Sequence, residues 1–120
     1  MNIKEAVDIL LETKYADSGS DAALSHSITC MKAYMVAKEG GYTEQLEEIA
    51  CKNPAWAFVF AREIPGANIT KCQNAAIRVE YYAMKFALEI VDCDLDLCKQ
   101  HMGDIYLAKY NEEIMKAALK

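Results

Sequence analysis

At 120 residues, 53% apolar and 26% charged, the chain is sized for one domain with a buried core and is too apolar for a disordered tail. No run reaches the ~18 uncharged apolar residues of a membrane span, and Met1 to Asp8 carries acids where a signal peptide would carry its apolar core, so a cytoplasmic protein with no membrane role is expected. The net charge of −5 argues against direct nucleic-acid binding and favours a basic partner.

Ile3, Val7, Leu10 and Leu11 recur at helical spacing, predicting a capping helix over residues 1–16 that Asp17-Ser18-Gly19-Ser20 ends. Ser20 or Asp21 then caps a helix running to Glu39, with Leu24, Ile28, Met31, Tyr34 and Met35 as its apolar stripe. Gly40-Gly41 stops it, because glycine reaches the left-handed conformation without strain. Thr43 caps a short helix through Leu46, Ile49 and Ala50. Asn53-Pro54 is a start signal, with a side-chain cap followed by a ring already set at helical φ. The helix from Ala55 to Ile64 is apolar on nearly all sides in its first two turns, which predicts neighbours all round it. Pro65-Gly66-Ala67-Asn68 ends it and caps a helix from Ile69 to Ile77. Helices are expected over about Glu80 to Val91, from the Asp94 cap to His101, and from Ile105 to Leu119 after a break at Gly103-Asp104. No alternating β-branched run asks to be a strand.

Self-similarity is the most informative feature. Ala57, Phe58, Phe60, Ala61, Glu63 and Ile64 are followed 26 positions later by Ala83, Met84, Phe86, Ala87, Glu89 and Ile90. At the same offset Trp56 meets Tyr82, Asn68 meets Asp94, Ile69 meets Leu95, and Cys72 meets Cys98. A weaker copy begins earlier, with Ala37-Lys38-Glu39 before Ala61-Arg62-Glu63 and Thr43 before Asn68. The predicted fold is all-α: stacked helical hairpins, a short α-solenoid or helical bundle of about seven or eight helices repeating about every 25 residues. It forms a single domain 1–120, with units near 20–52, 53–78 and 79–102 between the capping helices 1–16 and 104–120. One hairpin cannot cover its own apolar face, so successive hairpins cover each other.

Phe60-Ala61-Arg62-Glu63-Ile64-Pro65-Gly66-Ala67-Asn68-Ile69 resembles the tandem "FARxxxGAxI" helical repeats of bacterial and phage proteins, over about residues 54 to 98. In the second copy Val91-Asp92-Cys93-Asp94 replaces Pro-Gly-Ala-Asn. The resemblance implies an α-α repeat of mobile-element origin and assigns no catalytic residue.

Candidate chemistries fail on residue type or spacing. Asp92-Cys93-Asp94-Leu95-Asp96 opens like a calcium loop, but Leu97 stands where the loop needs glycine and Gly103 where it needs glutamate. Cys98 and His101 share a helix face near Cys93, without the second pair a structural zinc site requires. The five cysteines, Cys30, Cys51, Cys72, Cys93 and Cys98, are odd in number and lie in or beside helical patterns, so they read as reduced core residues. Cys72 and Cys98 are expected one layer apart, too far for a disulfide. His26 between Ser25 and Ser27 forms no catalytic pair, since neighbours on a helix point apart. Asn68-Ile69-Thr70 matches a glycosylation acceptor and reads as a cap.

The expected function is therefore a non-catalytic interaction protein without cofactor or metal, binding a protein partner through one face of the stack. The expected contact residues are Tyr81, Tyr106 and Tyr110 as aromatic anchors, with the helical acids Glu44, Glu47 and Glu48, read as solvated, and Asp92, Asp94 and Asp96 around the turn and cap before the short helix. The resemblance narrows this to a phage-type, anti-CRISPR-like inhibitor that covers a basic, nucleic-acid-binding surface of a host defence complex. The alternatives are a homo-oligomeric scaffold and a small Cys/His metal-binding protein.

Overall fold

The computed structural model describes residues 22–119, with side chains from Ile28 onward. The helix expected over 1–16, the caps Ser20 and Asp21 and the side chain of His26 lie outside the described residues. Seven helices and no strand occur among the described residues: α1 (Ala22–Gly40), α2 (Glu44–Ala50), α3 (Pro54–Glu63), α4 (Ile69–Ala76), α5 (Glu80–Glu89), α6 (Leu95–Gln100) and α7 (Gly103–Ala118). None is long and apolar enough to cross a membrane.

Four of the starts are set by one side chain each. Thr43 accepts from the Leu46 N–H, Asn53 from those of Ala55 and Trp56, Asn68 from that of Lys71, and Asp94 from that of Leu97. Each satisfies donors that a helix leaves orphaned at its first turn. Two hairpins then recur at an offset of 26 residues. Helices α3 and α5 are both ten residues long and start at 54 and 80; α4 and α6 start at 69 and 95. The residues that end α3 and α5 are extended alike, Ile64 at φ −101°, ψ 111° and Ile90 at φ −106°, ψ 105°. The caps Asn68 and Asp94 share φ −80°, with ψ 101° and 98°.

The longer helices α1, α3, α5 and α7 pack side by side in chain order, and α2, α4 and α6 lie against them. The result is a slab of 48 × 32 × 21 Å. Its core runs through Phe58, Phe60, Met84 and Phe86 at the centre, with Leu46 and Ile49 at one end and Met102 and Tyr110 at the other. Each fully buried aromatic contributes about 1.5–3 kcal/mol by leaving water. The rings of Phe58 and Phe86 meet edge-on at 6.2 Å, and Tyr34 of α1 lies 5.7 Å from Trp56 of α3.

The stripe expected on α1 faces the core only in part: Tyr34 packs against it and Met31 is half-buried, while the side chain of Leu24 lies outside the described residues. Cys30, Ala33 and Ala37 are buried, while Ile28 and Met35 are exposed. Small residues let α1 lie close to α2 and α3, a packing need that the size of the apolar side chains does not reveal. Helix α5 also stops two residues short of Val91, which is 96% exposed.

Helix α7 begins at Gly103 itself, two residues earlier than expected, with φ +72°. A Cβ there would crowd the carboxylate of Glu80. Gly103→Ala is expected to lose roughly 1–2 kcal/mol to the left-handed backbone alone, a fall in melting temperature of roughly 5–15 °C. Thermal unfolding followed by circular dichroism reads it directly; an unchanged midpoint would contradict the left-handed entry into α7.

Candidate functional site

The sequence-predicted contact residues do not form one patch. Tyr81 at the start of α5 and Tyr106 in the first turn of α7 are brought together, their rings 6.0 Å apart at 71°. Tyr82 closes edge-on against Tyr81 at 5.0 Å and carries the stack inward to Phe58 at 6.1 Å. Edge-to-face rings of this kind are worth about 0.5–1.5 kcal/mol beyond their buried area. Tyr81 keeps 39% of its surface in the open, beside exposed Val79, and Ile105 at the start of α7 is 80% exposed. The carboxylates of Glu80 and Asp104 are exposed on the same two helix starts.

Asp92, Asp94 and Asp96 lie at the other end of α5. Asp92 and Asp96 are exposed, while Asp94 caps α6 through a bond of 3.2 Å to the Leu97 N–H. Glu44 and Glu48 are exposed on α2. Two expectations are overturned. Tyr110 is 6% exposed, because α7 turns it into the bundle towards Cys93 and Cys98. Glu47 is fully buried rather than solvated, because the hairpin needs an acceptor at the join between α2 and α4.

Around Glu47 is a cluster that the sequence reading missed. Its Oε1 accepts from the Tyr42 hydroxyl at 3.0 Å and its Oε2 from the Asn68 N–H at 2.6 Å. The Cys72 thiol, fully buried, donates to the same Oε2 at 3.8 Å. The half-buried thiol of Cys51, at the C-cap of α2, donates to Cys72 Sγ at 3.6 Å. Burial and the bond to Glu47 push the Tyr42 hydroxyl up to about 12. Hydrogen bonding to Cys51 and burial push the Cys72 thiol far up. Cys51 is held below the ordinary thiol value because its thiolate would accept a hydrogen bond from Cys72, which outweighs burial. Arg78 adds positive charge beside it, donating to the carbonyls of Cys51 at 3.2 Å and Lys52 at 3.4 Å.

The same join occurs again at the later hairpin with different chemistry. Gln73 stands where Glu47 stood, its Oε1 accepting from the Asp94 N–H at 2.9 Å and its Nε2 donating to the Asp94 carbonyl at 2.7 Å and to Cys98 Sγ at 3.1 Å. An amide therefore suffices to hold the cap of the following short helix. The alignment of Cys72 with Cys98 and of Asn68 with Asp94 carried a signal for this pair, since extending the same offset one helix back sets Glu47 over Gln73.

Across the ends of α1, α3 and α5 runs a ladder of opposite charges. Lys38 meets Glu63 at 3.7 Å, Arg62 meets Glu63 and Glu89 at 3.2 Å each, and Lys85 meets Glu89. Arg62 also lies over the Phe58 ring at 4.9 Å. Burial raises the Glu89 carboxyl, but the bonds from Lys85 and Arg62 outweigh it and hold the group below the usual carboxylate value. These partly exposed pairs contribute about 1 kcal/mol or less each and hold the hairpins in register more than they stabilise them.

Among the described residues no three His, Cys, Asp or Glu side chains converge as a metal site, and His101 is exposed. No family model, curated protein or solved structure matches this chain.

Proposed function

We propose that the chain is a non-catalytic interaction protein, a short stack of helical hairpins that binds a basic protein surface through the edge where α5 and α7 begin. The observation that carries this reading is the meeting of Tyr81 and Tyr106 at the surface, from helices distant in sequence. Tyrosine brings large contact area at little entropic cost and is enriched at interface hot spots. Here the two rings are pre-positioned, one against the other, beside exposed Val79 and Ile105. Glu80 and Asp104 on the same helix starts, and a net charge of −5, give that apolar centre an acidic rim. Such a patch is complementary to a basic surface and steers its approach. The narrower form of the reading is an inhibitor of mobile-element origin whose target is a basic, nucleic-acid-binding surface of a host defence complex.

The test is affinity capture from source-cell lysate with the wild-type chain and with the double substitution Tyr81→Ala, Tyr106→Ala as baits, eluted with a salt gradient. The partner should be a basic protein, should leave the wild-type bait as salt rises, and should be lost from the double variant. Capture indifferent to salt, or equal on both baits, defeats the reading.

A second reading, self-association into a scaffold, draws on a different observation. Ile114 and Met115 on the last turns of α7, and Leu119 just after it, are all exposed. Light scattering separates the two: a monomer at micromolar concentration removes the scaffold.

A further inference from the structure

We propose that Cys51 and Cys72 form a redox-active dithiol that a hydroperoxide closes to a disulfide, with Glu47 as the internal base for Cys72. The two sulfurs are 3.6 Å apart. A disulfide bond of about 2.05 Å asks them to approach by roughly 1.5 Å, within reach of side-chain rotation at a helix C-cap. Their burial divides the roles. Cys51 is half-buried and meets the oxidant; Cys72 has no exposed surface, and its thiol is hydrogen-bonded to Cys51 and Glu47.

The second observation is the carboxylate. Glu47 and Gln73 do the same structural work, each holding the backbone N–H of the next cap, and Gln73 does it as an amide. The charge on Glu47 is thus surplus to the fold. It stands 3.8 Å from the buried thiol, at the inner end of a line of donors running from Cys51 through Cys72 to Glu47. Cys93 and Cys98 also interact, one half-buried and one buried, but Cys98 faces the Gln73 amide. They serve as the internal comparison.

In the first step the Cys51 thiolate attacks one peroxide oxygen. The O–O bond breaks, an S–O bond forms, and the second oxygen leaves as water or alcohol with the proton that Cys51 gave up. In the second step Cys72 passes its proton to Glu47 and its sulfur attacks the Cys51 sulfur. The S–O bond breaks, the S–S bond forms, and the departing hydroxide takes the proton from Glu47 to leave as water. Two thiols lose two electrons and one hydroperoxide gains them. The new bond would tie the C-cap of α2 to the first turn of α4.

The test treats the reduced full chain with stoichiometric hydrogen peroxide, then alkylates it in denaturant for intact-mass measurement and peptide mapping. The expected product has lost the mass of two hydrogens, retains three alkylatable thiols of the five free cysteines, contains a peptide linking Cys51 to Cys72, and reverts with dithiothreitol. Cys51→Ser is expected to abolish that product and Cys93→Ser to leave it intact. Glu47→Gln is expected to give the same link on the order of tenfold more slowly or worse. A link confined to Cys93 and Cys98, or Cys51 oxidised to the sulfinic acid with Cys72 still free, would overturn the dithiol; equal rates in the wild type and Glu47→Gln would overturn the base.

Discussion

Phe60→Ala is expected to lower the unfolding free energy by about 3–5 kcal/mol, the range for truncating a fully buried aromatic. Phe60 has no exposed surface and sits on α3, the helix that touches α1, α2, α4 and α5. Its ring also supports Tyr42 edge-on at 6.3 Å, so the truncation loosens the α1–α2 turn as well as the core. The neighbours cannot close the void cheaply. Ala57 and Ala61 flank it on its own helix, and Ile64 is pinned by the N–H bond that ends the helix at the Phe60 carbonyl. Against a total of about 5–15 kcal/mol for a domain, the loss is large enough to move a urea midpoint plainly. Val91→Ala is the matched control, since Val91 is 96% exposed and its truncation should stay within about 0.5 kcal/mol. A loss below about 1 kcal/mol at Phe60 would show that α3 is not enclosed as described.

The capping residues were legible because capping is local. Thr43, Asn53, Asn68 and Asp94 each bind an N–H two or three residues onward, so a short window contains both donor and acceptor. The all-helical class and most helix bounds follow from those signals. The buried face of α1 was legible only at Tyr34. Periodicity weights large apolar residues, whereas the fully buried positions of α1 are the small Cys30, Ala33 and Ala37, with Tyr34 stacked on Trp56 of α3 and Met35 left outside. The meeting of Tyr81 with Tyr106 could be guessed only one ring at a time, since it joins residues 25 apart across a layer that neither local window describes. The thiol pair was harder still. Cys51 and Cys72 are 21 residues apart and meet only because the end of α2 lies over the start of α4. Glu47 misled for a plain reason: a carboxylate between Leu46 and Glu48 reads as solvent-facing, and nothing local says that the next hairpin will bring it an N–H, a hydroxyl and a thiol.

That buried carboxylate allows a sharper substitution pair. Glu47→Ala is expected to cost about 2–4 kcal/mol, because two short hydrogen bonds to a charged acceptor are lost and the Asn68 cap is released from α2. Glu47→Gln is expected to stay within about 1 kcal/mol of the wild type. Its amide oxygen can keep the Asn68 N–H, and its NH2 can donate to the Tyr42 oxygen, since a hydroxyl accepts as readily as it donates. Gln73 already holds Asp94 in this way. The wild type and Glu47→Gln also separate at high pH. The Tyr42 hydroxyl is raised to about 12 by burial and by the carboxylate beside it. Tyrosine ionises near ~10 in an unfolded chain, so the stability this bond supplies is whole below that value and drains away as pH climbs towards the folded one. Removing the negative charge in Glu47→Gln relieves the repulsion that drives this loss, so its alkaline destabilisation should be shallower than that of the wild type. Urea denaturation at neutral pH and at a pH above the unfolded tyrosine value measures both effects. If glutamine proves as damaging as alanine at neutral pH, the charge itself holds the join between α2 and α4, and the equivalence of Glu47 with Gln73 fails.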